Sequence, residues 1–240
     1  MRLSFVTGRA ARWIAFLLLC LAVAACGDSP VPPAGDIITK SVATMRDITS
    51  LHFLLDTNKL ETYPKGLFLV HAEGDAAKPD KLRATAKALL LGSAIEVQVV
   101  GLGTEQYMTD PASGRWQRMP PSFNVLAAFD PSKGIADILA NAKDPQNDGT
   151  ESVDGVACYR VKTTLSPDAL KALSTEVNAT APLPARLWIS TADSRLVQVE
   201  LSGPLMNGEP GNIVRTVKFS QFNAPVDIQK PTVGSAPSKP

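Results

Sequence analysis

The strongest constraint on this chain is an alternation of period two that returns, segment after segment, between residues 51 and 222. In residues 81–89, Lys81, Arg83, Thr85 and Lys87 share one side, and Leu82, Ala84, Ala86 and Ala88 the other. Ile95, Val97 and Val99 alternate with Glu96 and Gln98 in the same manner. Successive strand residues face opposite sides of a sheet, so such text predicts antiparallel strands with one wet and one apolar face. Further runs lie at residues 51–58, 67–73, 106–108, around Trp116, and at 156–164, 185–190, 196–201 and 213–222. Turns are expected at 74–79, 110–114, 143–150 and 193–194, with a loop at 203–211. The reading totals about ten or eleven strands in one sheet. A sheet of that size has to curl, and its apolar side needs a cover.

Helical periodicity supplies the cover. Asp36 is placed to cap a helix carrying Ile38, Val42 and Met45. Ser122 opens a stretch with Phe123, Val125, Leu126 and Phe129. Asp130-Pro131 opens another with Ile135, Ile138 and Leu139, and Ser166-Pro167 a further one with Leu170, Leu173 and Val177. Alanine dominates the inward side of residues 81–89, and small side chains leave room beneath the helices. Close packing of the helices onto that surface is the alternative.

The N-terminus speaks to compartment rather than fold. Arg2, Arg9 and Arg12 precede an uninterrupted apolar run at residues 13–25, which ends in Val23-Ala24-Ala25 and leads into Cys26-Gly27. The run suits a signal peptide and falls short of the ~20 residues that cross a bilayer. Small residues directly before a cysteine match a bacterial lipobox, in which the thiolate of Cys26 takes a diacylglyceryl group. An ordinary secretory cleavage at Val23-Ala24-Ala25, or an uncleaved anchor, is the alternative. Residues 27–35, rich in Ser, Pro and Gly, read as a tether. The expected organisation is a signal peptide at 1–25, a lipidated tether at 26–35, one domain at 36–231 and a loose tail at 232–240. The expected location is the outer, periplasmic side of the cell membrane, held by lipid.

Composition excludes several classes. Of 24 basic residues, Arg2, Arg9 and Arg12 leave with the signal, so 21 face 23 acidic ones. No basic cluster stands out, which argues against nucleic-acid binding. Cys20 is lost with the signal and Cys26 is lipidated, leaving Cys158 without an intramolecular partner and read as a small buried hydrophobe. His52 and His71 sit in strand-like text with no nucleophile motif nearby, and no glycine-rich phosphate loop or His/Cys metal cluster is present. Asp144, Asp148 and Glu151 lack EF-hand spacing and read as a solvated turn. No cofactor, metal or enzymatic activity is expected.

Several segments in order carry a resemblance to a known family. They are GLGTEQYMTDPASGRW at 101–116, Phe129-Asp130-Pro131-Ser132-Lys133-Gly134-Ile135, Val153-Asp154-Gly155 leading to Cys158-Tyr159-Arg160-Val161, Leu187-Trp188-Ile189-Ser190, and VKFSQFNAPVDIQKP at 217–231. With the lipobox, their order and spacing resemble the mycobacterial LppX and LprAFG lipoprotein family from about Ile37 to Pro231. The resemblance implies an α+β fold: a strongly bent antiparallel half-barrel of about 10–11 strands covered by short helices, with an apolar cavity between. It also implies that the cavity binds acylated lipids or glycolipids and helps move them across the envelope, with a membrane lipid exporter as an expected partner. Members differ in ligand, so the cargo does not carry over.

The candidate lining is Ile95, Val97 and Val99 from the sheet, with Val125, Leu126, Phe129, Ile135, Ile138 and Leu139 from the helical insert, which is the expected lid. Leu170, Leu173, Val197 and Val199 follow as second choices. Each of these fits plain core packing equally well in type. The rival to a carrier is an interaction module with a filled interior and no cargo.

Overall fold

The alternating segments pair into a single antiparallel sheet of eleven strands. The computed structural model describes residues 30–58, 67–119, 134–171 and 177–237. The strands are β1 (Ser50–Thr57), β2 (Leu67–Ala77), β3 (Lys81–Leu90), β4 (Ser93–Leu102), β5 (Glu105–Thr109), β6 (Trp116–Arg118), β7 (Ala142–Val153), β8 (Val156–Leu165), β9 (Leu183–Ser190), β10 (Leu196–Ser202) and β11 (Val214–Ser220). Their spatial order is β6-β5-β4-β3-β2-β1-β11-β10-β9-β8-β7. The edge strands β6 and β7 are not paired with each other, so the sheet is an unclosed half-barrel. Bulges in β2 between Leu69 and His71, in β10 between Leu196 and Gln198, and twice in β7 add local bends.

Three helices are described: α1 (Ala34–Asp47), α2 (Gly134–Ala140) and α3 (Pro167–Lys171). No helix among the described residues is long and apolar enough to cross a membrane. In α1, Asp36 lies in the first turn and Arg46 in the last, the signs the helix dipole favours. The helix starts at Ala34, ahead of the expected cap, with Asp36 inside it and Pro33 before it. Ala34, Ile37, Ile38, Ser41 and Met45 form its buried stripe. They pack onto Leu51, Phe53 and Leu55 of β1, Ala72 and Ala76 of β2, Leu82 of β3, Val161 of β8 and Leu187 and Ile189 of β9. This is the main core, and it lies on one side of the sheet. The chain between β6 and β7 joins the two opposite edges of the sheet, and α2 of that crossing packs beside α1. Ser166 caps α3, as its sequence predicts: its Oγ accepts from the Ala169 N–H at 3.3 Å.

Three expectations are corrected. Gly74 does not begin a turn; β2 runs on to Ala77. A Cβ at Gly74 would sit 2.1 Å from the Arg83 carbonyl oxygen, so glycine serves a close approach of β2 to β3. Residues 143–150 are not a turn but most of the edge strand β7. Their turn-like composition reflects its bulges, with positive φ at Asp144 (50°) and Gly149 (95°).

The third correction is the C-terminus. After β11 the chain crosses the face opposite the helices as an extended strap. The Ser50 hydroxyl donates to the Ala224 carbonyl at 2.6 Å, and Arg83 donates to that of Asp227 at 3.3 Å. The Trp116 N–H donates to the Ser235 carbonyl (2.9 Å) and the Gly234 N–H to that of Trp116 (2.8 Å). Ile228 packs with Val100, Tyr107 and Trp116. These aromatics gave the strap a place to bury apolar surface, so order extends past residue 231 to Ser235.

Candidate functional site

The strand registers fix which residues share the helix-covered side. Ala84 lies opposite Val99, Ala86 opposite Val97 and Ala88 opposite Ile95. Val199 lies opposite both Val217 and Leu187. The inward positions of β1–β5 and β8–β11 carry a single charged side chain among the described residues, Arg215. Its guanidinium is bonded to the carboxylate of Glu209, whose side chain is 1% exposed. The opposite face is highly charged. Lys162 and Arg160 hold Asp148 at 2.5 and 2.9 Å, and Arg186 bonds Glu200 at 2.8 Å.

The structure brings part of the predicted lining together. Val97, Val99, Ile135 and Leu139 belong to the main core, and Val199 packs against it half-buried. Ile95 is also half-buried, on the same side and nearer the β3–β4 turn. Leu170 belongs to a second cluster with Leu165, Leu183, Ala185 and Leu201, and Ile138 packs on it. Val197 is corrected: it packs with Val153, Cys158 and Trp188 on the opposite face. The bulge between Leu196 and Gln198 breaks the alternation that paired Val197 with Val199. Val125, Leu126, Phe129, Leu173 and Cys26 lie outside the described residues.

Sequence reading missed other members of this side. Ala84, Ala86, Met108 and Val217 touch the main core yet stay only half-buried. Val217 comes from β11, a strand whose adjacency to β1 no local pattern reveals. Two hydroxyls on this side, Ser41 Oγ of α1 and Thr57 Oγ1 of β1, are buried without a hydrogen-bond partner. A buried unpaired hydroxyl is costly in an apolar setting. Among the described residues the assembled surface is apolar, uncharged but for the Arg215–Glu209 pair, and half-buried along β3, β4, β10 and β11. Its chemistry is the non-covalent accommodation of apolar groups.

Titratable groups cluster elsewhere. A hydrogen bond from Lys162, with the charge of Arg160, holds Asp148 below the usual carboxylate range. Glu151 is lowered by the Trp188 indole N–H and Arg160. Burial pushes the Cys158 thiol up, in keeping with a packed hydrophobe. His52 Nδ1 meets Asp75 at 2.9 Å while its Nε2 meets Glu73 at 3.3 Å, and His71 meets Asp56 at 2.8 Å. These are cross-strand pairs on the charged face. A depression of about 280 Å³ on that face, lined by Lys162, Arg186 and Glu200 among others, has its charges paired internally. No group of three or more potential metal ligands occurs among the described residues.

Known proteins share this architecture. Residues 33–228 match the family model described as LppX_LprAFG lipoprotein. The chain is 27% identical over 212 residues to the lipoarabinomannan carrier protein LprG of Mycobacterium leprae, covering 86% of this chain and 85% of that one. It is 28% identical over 219 residues to the LprG of Mycolicibacterium smegmatis, covering 88% and 89%. Among solved structures, LprF from Mycobacterium bovis superposes with a TM-score of 0.66 at 19% identity, over 86% of this chain and all (100%) of that one. LppX from Mycobacterium tuberculosis gives 0.55 at 19% identity, over 81% and 97%.

Proposed function

The chain belongs to the LppX_LprAFG lipoprotein family, and on that premise we propose that it is a lipid carrier of the cell envelope. Its helix-covered face receives the acyl chains of a lipid or glycolipid, and Cys26, lipidated, holds it at the outer side of the cell membrane. The names of the LprG relatives support a carrier of acylated glycolipid. The observation that carries the reading is the apolar side of the sheet, whose described residues are uncharged but for the Arg215–Glu209 pair and which is left half-buried at Ala84, Ala86, Val199 and Val217.

The physics favours such a device. An acyl chain that leaves a bilayer for water loses ~0.8 kcal/mol per methylene. A long chain loses on the order of ten, which blocks free diffusion between membranes. An apolar protein surface replaces the lost environment, and shape rather than hydrogen bonding then selects the cargo. Ser41 and Thr57 would meet the ester or hydroxyl oxygens of a bound lipid. The lining proposed here is Ile95, Val97, Val99, Ile135, Leu139 and Val199, joined by Ala84, Ala86 and Val217, with the crossing between β6 and β7 as its lid. A membrane lipid exporter is the expected donor or acceptor. Among the described residues the inward face is apolar apart from a few hydroxyls and the Arg215–Glu209 pair, which supports a binding role rather than a catalytic one.

Residues from Pro33 onward form one compact unit with its own core, so a chain beginning at Gly27 folds without the leader and without Cys26. Native and denaturing mass spectra of that chain test the proposal. The expected result is an acyl lipid that travels with the native protein and is released on unfolding, with lower occupancy in Ala86→Trp. Folded protein that stays lipid-free after incubation with envelope lipid extract would reject the carrier and favour an interaction module with a filled interior.

A further inference from the structure

We propose that the β3–β4 hairpin is a lip that enters the acyl region of a lipid bilayer and delivers cargo to the apolar side of the sheet. This rests on the carrier reading and names the surface that loads it. β3 and β4 are joined by two residues, Leu91 and Gly92, with φ of 51° and 82°. A two-residue hairpin with positive φ at both positions is normally Asn-Gly or Asp-Gly, because a larger side chain is strained there. Leu91 takes that strained conformation and is 74% exposed. It gains neither turn chemistry nor packing, and a local rule broken without structural return marks a functional position.

The other two-residue hairpin with positive φ at both positions keeps to the rule: Asp154 (49°) and Gly155 (85°) join β7 to β8. Asp80, Asp110, Asp154 and Asp193 occupy the β2–β3, β5–β6, β7–β8 and β9–β10 connections. Asp110 Oδ1 accepts from the Ser113 N–H at 2.7 Å, and Asp193 Oδ1 from the Arg195 N–H at 3.2 Å. The β3–β4 tip instead reads ALLLGSAI over residues 88–95, beside LFLV at 67–70, with no charge in either run. Neither run has to shed ionic hydration on entering lipid.

Continuity selects the occupant. Leu90 is 41% and Leu69 37% exposed. Leu69 lies opposite Ala88, which lies opposite Ile95, so these residues stand on the inward side. From there the same side continues through Ala86 and Val97 to Ala84 and Val99. An unbroken apolar strip therefore leads from the exposed tip to the half-buried face. A protein partner would account for the tip alone. A bilayer accounts for the tip and the strip together, since an acyl chain can slide from one to the other without crossing water.

The test uses the chain from Gly27, vesicles of phosphatidylcholine, and a fluorescent diacyl lipid exchanged between donor and acceptor vesicles. Phosphatidylcholine carries no net charge, so binding reports insertion rather than attraction. Leu91→Asn should raise the melting temperature, because it suits the turn, and leave lipid loading from detergent unchanged in native mass spectra. It should weaken vesicle flotation and slow exchange about ten-fold, equal to about 1.4 kcal/mol. Leu91→Phe, apolar but still strained, should retain exchange. The inference is overturned if Leu91→Asn exchanges lipid as fast as the parent, if it lowers the melting temperature, or if the parent fails to float with vesicles. Failure of the carrier reading looks different: the parent itself would hold no lipid, whatever its affinity for vesicles.

Discussion

Replacing Glu209 with alanine should cost more stability than almost any other single polar change in this protein. Glu209 organises the loop between β10 and β11. One carboxylate oxygen accepts from the Leu205 N–H at 2.7 Å and the Met206 N–H at 3.2 Å, and the other bonds Arg215. The Arg215 side chain is 11% exposed and that of Glu209 1%. Glu209→Ala leaves a buried guanidinium without its counter-charge and two N–H groups without that acceptor. Breaking a buried pair from one side costs about 3–5 kcal/mol. The lost N–H bonds do not add in full, because a surface loop relaxes toward water. For a chain of this size the change corresponds to a fall in melting temperature of roughly 6–20 °C. Urea unfolding of the parent, Glu209→Ala, Arg215→Met and the double variant Glu209→Leu/Arg215→Met provides the assay. The double variant should recover most of the loss, since two apolar residues leave no stranded charge. A cost below about 1 kcal/mol for Glu209→Ala, or a double variant as unstable as the single, would refute the reasoning.

Other perturbations probe the sheet and its outer face. Gly74→Ala pushes a methyl into the Arg83 backbone at 2.1 Å, so the urea midpoint should fall by the equivalent of at least about 1–3 kcal/mol. Ile228→Ala should cost about 2–5 kcal/mol, or less if the strap peels away, and should shift Trp116 fluorescence to the red as the strap loosens over it. Asp148 has a folded pKa below its unfolded value, so its contribution is complete above the ordinary aspartate range, about 3.9, and is lost as pH falls through that range toward the folded pKa. The Asp148→Asn variant should accordingly show a flatter dependence of urea midpoint on pH between about 5 and 3 than the parent.

The two faces of β3 and β4 were legible because alternation is local. Lys81, Arg83 and Lys87 are exposed and Leu82 is buried as the sequence reads. Where geometry departs from strict period two, the reading failed in a definite way. One extra residue in β10 turned Val197 away from Val199. Bulges in β7 gave an edge strand the composition of a turn. Gly74 signalled a break, yet its purpose is contact with β3. Long-range partners left no local trace. Nothing around Val217 announces that it will lie beside β1, and nothing in the Pro-containing strap announces its partners, because Tyr107 and Trp116 lie far back in the chain. The inward surface was thus predictable strand by strand, while its assembly from both halves of the chain was not.

The strand order has a consequence for how the protein comes to exist. β1 and β11 are neighbours at the middle of the sheet, although one opens the strand series and the other ends it. Strands β1 to β6 form one meander of local hairpins and β7 to β11 a second. Each can assemble quickly as its residues emerge, since local pairings carry little loop-closure cost. The seam between them waits for the last strand. Until residues 214–220 are available, β1 offers an open backbone edge from His52 to Thr57, where β11 will pair. An open edge beside the apolar Phe53 and Leu55 invites pairing with another chain. Folding yield should therefore depend on how long the two halves remain apart, and a chain cut short before β11 should aggregate through β1 even though most of its hairpins are intact.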